Sequence, residues 1–131
     1  MGFFSLFKKK KQPIEDIKWN AMWELWAEER ALSPYAELMT YESEVNNGGH
    51  MQFFDNAANT SLLPQTLSAL NTLLTGVLAA NLDRAYHIYL TEEDEDTKAC
   101  LLDECDNVFY ENESEIEAIL REYAKTIDVP N

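Results

Sequence analysis

Cysteine, histidine and glycine are scarce in this chain, and each scarcity removes a class of explanation. The two cysteines, Cys100 and Cys105, stand five apart in a stretch of helical pattern. That spacing fits neither a redox pair nor a zinc-ligand set, so they read as reduced core or boundary residues of a cytoplasmic protein. The two histidines, His50 and His87, lie in no HExxH-type pattern. Asp83 and His87, four apart, suit an ion pair on one helix face or two metal ligands that lack a third. Four glycines leave no phosphate-cradling loop or dinucleotide fingerprint, and GxSxG is missing too. The acidic run fails as a calcium loop: counted from Asp94, Ala99 stands where glycine is required and Cys105 where a bidentate glutamate is required. No catalytic residue, cofactor or metal set is indicated.

Basic residues are few as well. Ten Lys and Arg face 24 Asp and Glu, for a formal net charge of −14. Residues 1 to 11 carry four lysines and no acid, residues 12 to 90 carry three bases and ten acids, and residues 91 to 131 carry three bases and 14 acids. Neutralising phosphates needs clustered Lys and Arg on a folded surface, so direct nucleic-acid binding is disfavoured. A basic protein surface is the partner that the charge favours. No apolar run approaches the length that crosses a bilayer, and the opening Met-Gly-Phe-Phe-Ser-Leu-Phe-Lys-Lys-Lys-Lys is too short and wrongly ordered for a signal peptide. Residues 1–12 are expected to form a flexible tail, whose Phe3, Phe4, Leu6 and Phe7 beside Lys8 to Lys11 would give at most weak contact with an anionic membrane. Ser5 comes one position early for myristoylation of Gly2.

What the chain has in abundance is helical periodicity. Its 131 residues suit one domain with a sizeable core. Ile14 to Arg30 reads as a helix with two apolar stripes, Ile14, Ile17, Ala21 and Leu25 on one side and Trp19, Trp23 and Trp26 on another. Such a helix is buried between neighbours, or its tryptophan face forms a self-association or partner interface. Ser33-Pro34 supplies a capping hydroxyl and a first-turn proline for the next helix. Asn59 to Ser61 forms a loop, Pro64 opens a helix to about Leu74, and Gly76 breaks it before another runs to Leu90. Glu92 to Asp96 is an acidic loop or frayed helix start. A further helix carries Ala99, Leu102, Cys105 and Phe109, and Ser114-x-x-Glu117 reads as a capping box that opens a last one. No strand-like alternation of useful length occurs. The prediction is an all-α, compact single domain over residues 13–131, with about six or seven helices joined by short connections.

The central stretch is the most specific. Tyr41, Glu42, Glu44, Val45, Asn46, Asn47, Gly48, Gly49, Gln52, Phe53, Phe54 and Asn56 read as a helix stopped by two glycines and restarted on an aromatic pair. One glycine takes a backbone conformation that side chains resist, and the second lets the next helix start close by. The first amides of the restarted helix, around Gly49 to Gln52, need an acceptor, which Glu44, Asn46 or Asn47 would supply. These residues are expected to build scaffold. The competing reading makes Glu42, Glu44, Asn46, Asn47, Gln52 and Asn56 a small-ligand or metal site at a helix start.

This pattern resembles the DMP19-like family, also called DUF4375, an all-helical group of DNA-mimic character. The resemblance covers about residues 14–127, and His50 stands where the family pattern has an apolar, often aromatic residue. It implies a protein that occupies the basic surface of a DNA-binding protein. The sequence itself offers the carboxylates: Asp103, Glu104 and Asp106, then Glu111, Glu113, Glu115 and Glu117, with Glu92, Glu93, Asp94, Glu95 and Asp96 extending the row. Acids three or four apart on helices can imitate a line of phosphates. The alternative is an acidic halo that serves solubility alone.

Overall fold

The computed structural model describes residues 12–58 and 62–130, so the readings of residues 1–11 and of the loop 59–61 fall outside the described residues. Five helices form within them: α1 (Ile14–Ala27), α2 (Tyr35–Ala58), α3 (Leu63–Leu73), α4 (Gly76–Thr91) and α5 (Glu95–Lys125). No strand occurs among the described residues. The all-α expectation holds, whereas the count of six or seven does not.

The difference lies in α2, counted as one helix although its backbone breaks at Gly48 and Gly49, and in α5. In α5, Ser114 and Glu117 carry a restart signal, yet the helix runs unbroken for 31 residues. Its buried positions Leu102, Cys105, Phe109, Ile116, Leu120 and Tyr123 stay in one helical phase across the supposed junction, so packing holds that turn helical and the capping signal has nothing to cap. Asn112 fits the same regime by donating to the Val108 carbonyl one turn back, at 2.8 Å. The helix starts where the acidic run suggested, with Asp94 capping it through 2.9 Å to the Thr97 amide.

The long helix is the axis of assembly, packing against α1, α2 and α4, while α3 packs against α2. The core along it includes Met22, Leu38, Tyr41, Phe53, Phe54, Leu82, Phe109 and Leu120, all buried. On α1 the tryptophan stripe turns inward. Trp19, Trp23 and Trp26 pack against the core with edge-to-face contacts at 6.2 and 5.3 Å, and Trp26 Nε1 donates to Thr40 Oγ1 at 2.9 Å. Ile14 and Ile17 are the exposed side of that helix. Near the start of α2, Tyr35 stacks on Tyr123 with ring centres 4.3 Å apart, while Ser33 Oγ bonds the Glu37 carboxylate and not a backbone amide.

Candidate functional site

The break in α2 falls at the two glycines. Gly48 has φ −154° and Gly49 has φ +77°, the second in the left-handed region that favours glycine. A Cβ at Gly49 would run into the carboxylate of Asp106, and one at Gly48 into the side chain of Gln52. The elbow therefore needs two missing side chains, one for conformation and close approach together and one for space.

What seals the elbow comes from the opposite helix. Asp106 Oδ1 accepts from the backbone amide of His50 at 2.8 Å and lies 2.7 Å from His50 Nδ1. A carboxylate only accepts, so Nδ1 carries a proton, and Nε2 pairs with the Tyr41 hydroxyl 2.7 Å away. Tyr41 and His50 are fully buried, and burial, aided by Cys105 and Asp106, pushes the Tyr41 phenol far above its ordinary range. The cap expected from Glu44, Asn46 or Asn47 is thus supplied by a residue 56 positions away. No local signal in the sequence points to it.

The other motif groups close on each other. Glu44 Oε2 accepts from Gln52 Nε2 at 2.8 Å and from Asn56 Nδ2 at 2.6 Å. Asn46 Nδ2 reaches the Glu42 carbonyl at 2.9 Å and Glu113 Oε2 at 2.7 Å. Tyr110, one turn beyond Asp106, donates to the Val45 carbonyl at 3.0 Å. Asp106, Tyr110 and Glu113 are thus one face of α5 that holds both sides of the elbow. Val45, Phe53 and Phe54 are buried beneath it, and Asn47 is exposed. One group stands apart: Glu42 Oε2 is buried without a hydrogen-bond partner. Burial, with Glu113 and Glu117 adding repulsion, pushes the Glu42 carboxyl up to about 7.

A groove of about 570 Å³ between α1 and α5 is lined by Ile14, Trp19 and Arg121 among others, and a shallower hollow of about 520 Å³ lies between Pro34 and α3. Neither touches the motif. Among the described residues no group of three or more His, Cys, Asp or Glu is arranged to hold a metal. Asp83 and His87 are exposed and make no ion pair with each other, and Cys100 and Cys105 are free thiols, the first exposed and the second buried.

The remaining carboxylates face water. Glu93, Asp94, Glu95, Asp96, Asp103, Glu104, Glu111, Glu115 and Glu117 are exposed, while Glu92, Asp106 and Glu113 are half-buried. Glu92 accepts from the Asp94 amide at 3.2 Å. Basic neighbours are sparse: Arg84 lies 3.7 Å from Glu104, and Lys98 lies 3.7 Å from Glu95. From Asp103 to Glu117 the helix bears seven carboxylates and no Lys or Arg. At 1.5 Å rise per residue that is one acid per about 3 Å of axis, close to the roughly 3.4 Å of duplex axis per phosphate of one DNA strand.

A family profile described as DMP19-like protein matches residues 19–127. The chain belongs to the DMP19-like family. No curated protein and no solved structure matches it. In this DMP19-like chain the match runs from α1 to just beyond the end of α5, taking in the elbow, its Asp106 cap and the acidic run. No helix among the described residues is long and apolar enough to cross a membrane.

Proposed function

We propose that this DMP19-like protein is an acidic binding module that occupies the basic surface of a DNA-binding protein, presenting α5 in place of a phosphate strand. The observation that carries the reading is the run from Asp103 to Glu117, where the exposed acids Asp103, Glu104, Glu111, Glu115 and Glu117 lie along one rigid helix without an interleaved cation. A solubilising halo needs only net charge, whereas a mimic needs acids on a stiff support at phosphate-like intervals. Glu104, Glu111 and Glu115 lie on the side of α5 away from its buried stripe, as helical phase requires. Glu113 and Glu117 form a flanking line toward α2, and Glu95 and Asp96 in the first turn of α5, with Glu93 and Asp94 just before it, extend the acidic surface at that end. The reading assigns the chain no reaction, and it places the protein in the cytoplasm, where such partners work.

The test is a pull-down with the immobilised protein from lysate at low salt. Retained DNA-binding proteins that leave the resin steeply as salt rises support the reading, because charge-dominated contacts are screened. Retention that ignores salt, or no retained DNA-binding protein, overturns it.

A further inference from the structure

Among the described residues most acids are solvated or paired, and Glu42 is neither. Glu42 is 8% exposed and its Oε2 is sealed from water without a hydrogen-bond partner. An uncompensated carboxylate in such a place is costly, and no internal bond of the elbow uses it. Asn46, one turn along α2, donates at once to the Glu42 carbonyl and to Glu113 Oε2, which fixes the Glu113 carboxylate over the Glu42 turn. Glu117 follows Glu113 by one turn on the same face of α5. The charged groups that act on Glu42 are these two, both acidic and both on α5. Beside Glu42, Asn46 and Glu117 are exposed and Glu113 is half-buried.

Resting on the binding reading above, we propose that the notch formed by Glu42, Glu113 and Glu117 is the anchor of the interface and receives one guanidinium or ammonium group of the basic partner. Two rim acids would grip the cation through charge-assisted hydrogen bonds, and the sealed acid beneath would supply the field that makes this point stronger than the rest of the row. Three acids that crowd one another without a cation lose that repulsion when one arrives. Glu42, held up to about 7 in the free protein, then gives its proton to solvent, because a unit charge a few ångströms away favours the ionised form. Binding at this notch is therefore coupled to proton release, whereas binding along the exposed row is not. Anchors of this kind, enclosed and ringed by weaker contacts, carry most of the energy in protein interfaces.

The experiment is calorimetric titration of the full chain with an acetylated, amidated hexa-arginine peptide at low salt and pH 6.5, in two buffers of different ionisation enthalpy. The expected result is a buffer-dependent heat corresponding to release of roughly half a proton or more per complex, absent in Glu42→Gln and fading in the native protein by pH 8.5. Circular dichroism confirms that the variant is folded, and the buffer dependence of the native protein stands as a measurement without it. Salt-sensitive binding whose heat is the same in both buffers overturns the anchor and leaves the acidic-row reading standing. No binding of the peptide at low salt overturns both.

Discussion

A single oxygen, Asp106 Oδ1, accepts both the backbone amide and the ring Nδ1 of His50, at 2.8 and 2.7 Å. The first bond caps the second half of α2, and the second orients an imidazole that in turn pairs with the Tyr41 hydroxyl. Asp106 is only 15% exposed at its side chain, so the acidic helix spends this carboxylate on the fold. Asp106→Ala leaves a buried ring N–H and a helix-start amide without acceptors, and is expected to cost about 2–4 kcal/mol. Urea denaturation measures it; a loss under about 0.5 kcal/mol, the range of ordinary surface changes, would show that the cap is dispensable.

His50→Phe tests the same chain from its centre. An apolar aromatic residue fits the resemblance, and the ring would sit among Tyr41, Phe54 and Phe109, whose rings lie 5.5 to 6.2 Å from the imidazole. It would still strip Tyr41 of its hydrogen-bond partner and Asp106 of its ring donor. The expected outcome is destabilisation by about 2 kcal/mol or more, read as a lowered denaturation midpoint with unchanged slope. A stability equal to the native protein would mean that the site repacks as an apolar one.

Two glycines with positive φ give a controlled comparison. Gly49→Ala meets both a φ of +77° and the Asp106 carboxylate, whereas Gly76→Ala meets a φ of +54° with nothing within 4 Å. The second should cost about 1–2 kcal/mol from conformation alone. The first should cost clearly more, because the cap must also move. Thermal melts of the two variants side by side decide it, and equal losses would contradict the close approach.

The sequence shows the elbow and hides its partner. Asn47-Gly48-Gly49 followed by Phe53 and Phe54 is legible because backbone freedom and apolar spacing are local properties. Asp106 looks like one acid among many, since only the folded chain brings position 106 to position 50. The same limit governs α5. Ser114-x-x-Glu117 carries a local start signal, and the phase of Cys105, Phe109, Ile116 and Leu120, which could have overruled it, is a property of the whole stripe. On α1 both apolar stripes are visible in the sequence, and only packing shows that the tryptophans face inward. Glu42 gave no sign at all of being sealed, because its isolation depends on Asn46, Glu113 and Glu117 meeting across two helices.

Glu42 makes stability depend on pH in a stated direction. Its folded-state pKa, about 7 against an ordinary 4.5, means that the native protein holds the proton more tightly than the unfolded chain. The contribution is fully present below about pH 4.5 and is lost as pH rises through 7, on the order of 2 kcal/mol in total. Chemical denaturation of the native protein and of Glu42→Gln at pH 5 and pH 8 isolates it. The difference between the two proteins should be larger at pH 8, in favour of the glutamine variant; a pH-independent difference would contradict the raised carboxyl.

The central claim, that α5 stands in for a phosphate strand, is tested most directly by competition. The immobilised protein and a Glu104→Gln, Glu111→Gln, Glu115→Gln variant are loaded with the DNA-binding proteins of a lysate and challenged with duplex DNA. Those three positions make none of the elbow bonds, so the variant is expected to fold normally. The account predicts that duplex DNA displaces the proteins held by the native chain and that the variant retains far less of them. Equal retention by the variant, or bound proteins that duplex DNA cannot displace, would contradict it.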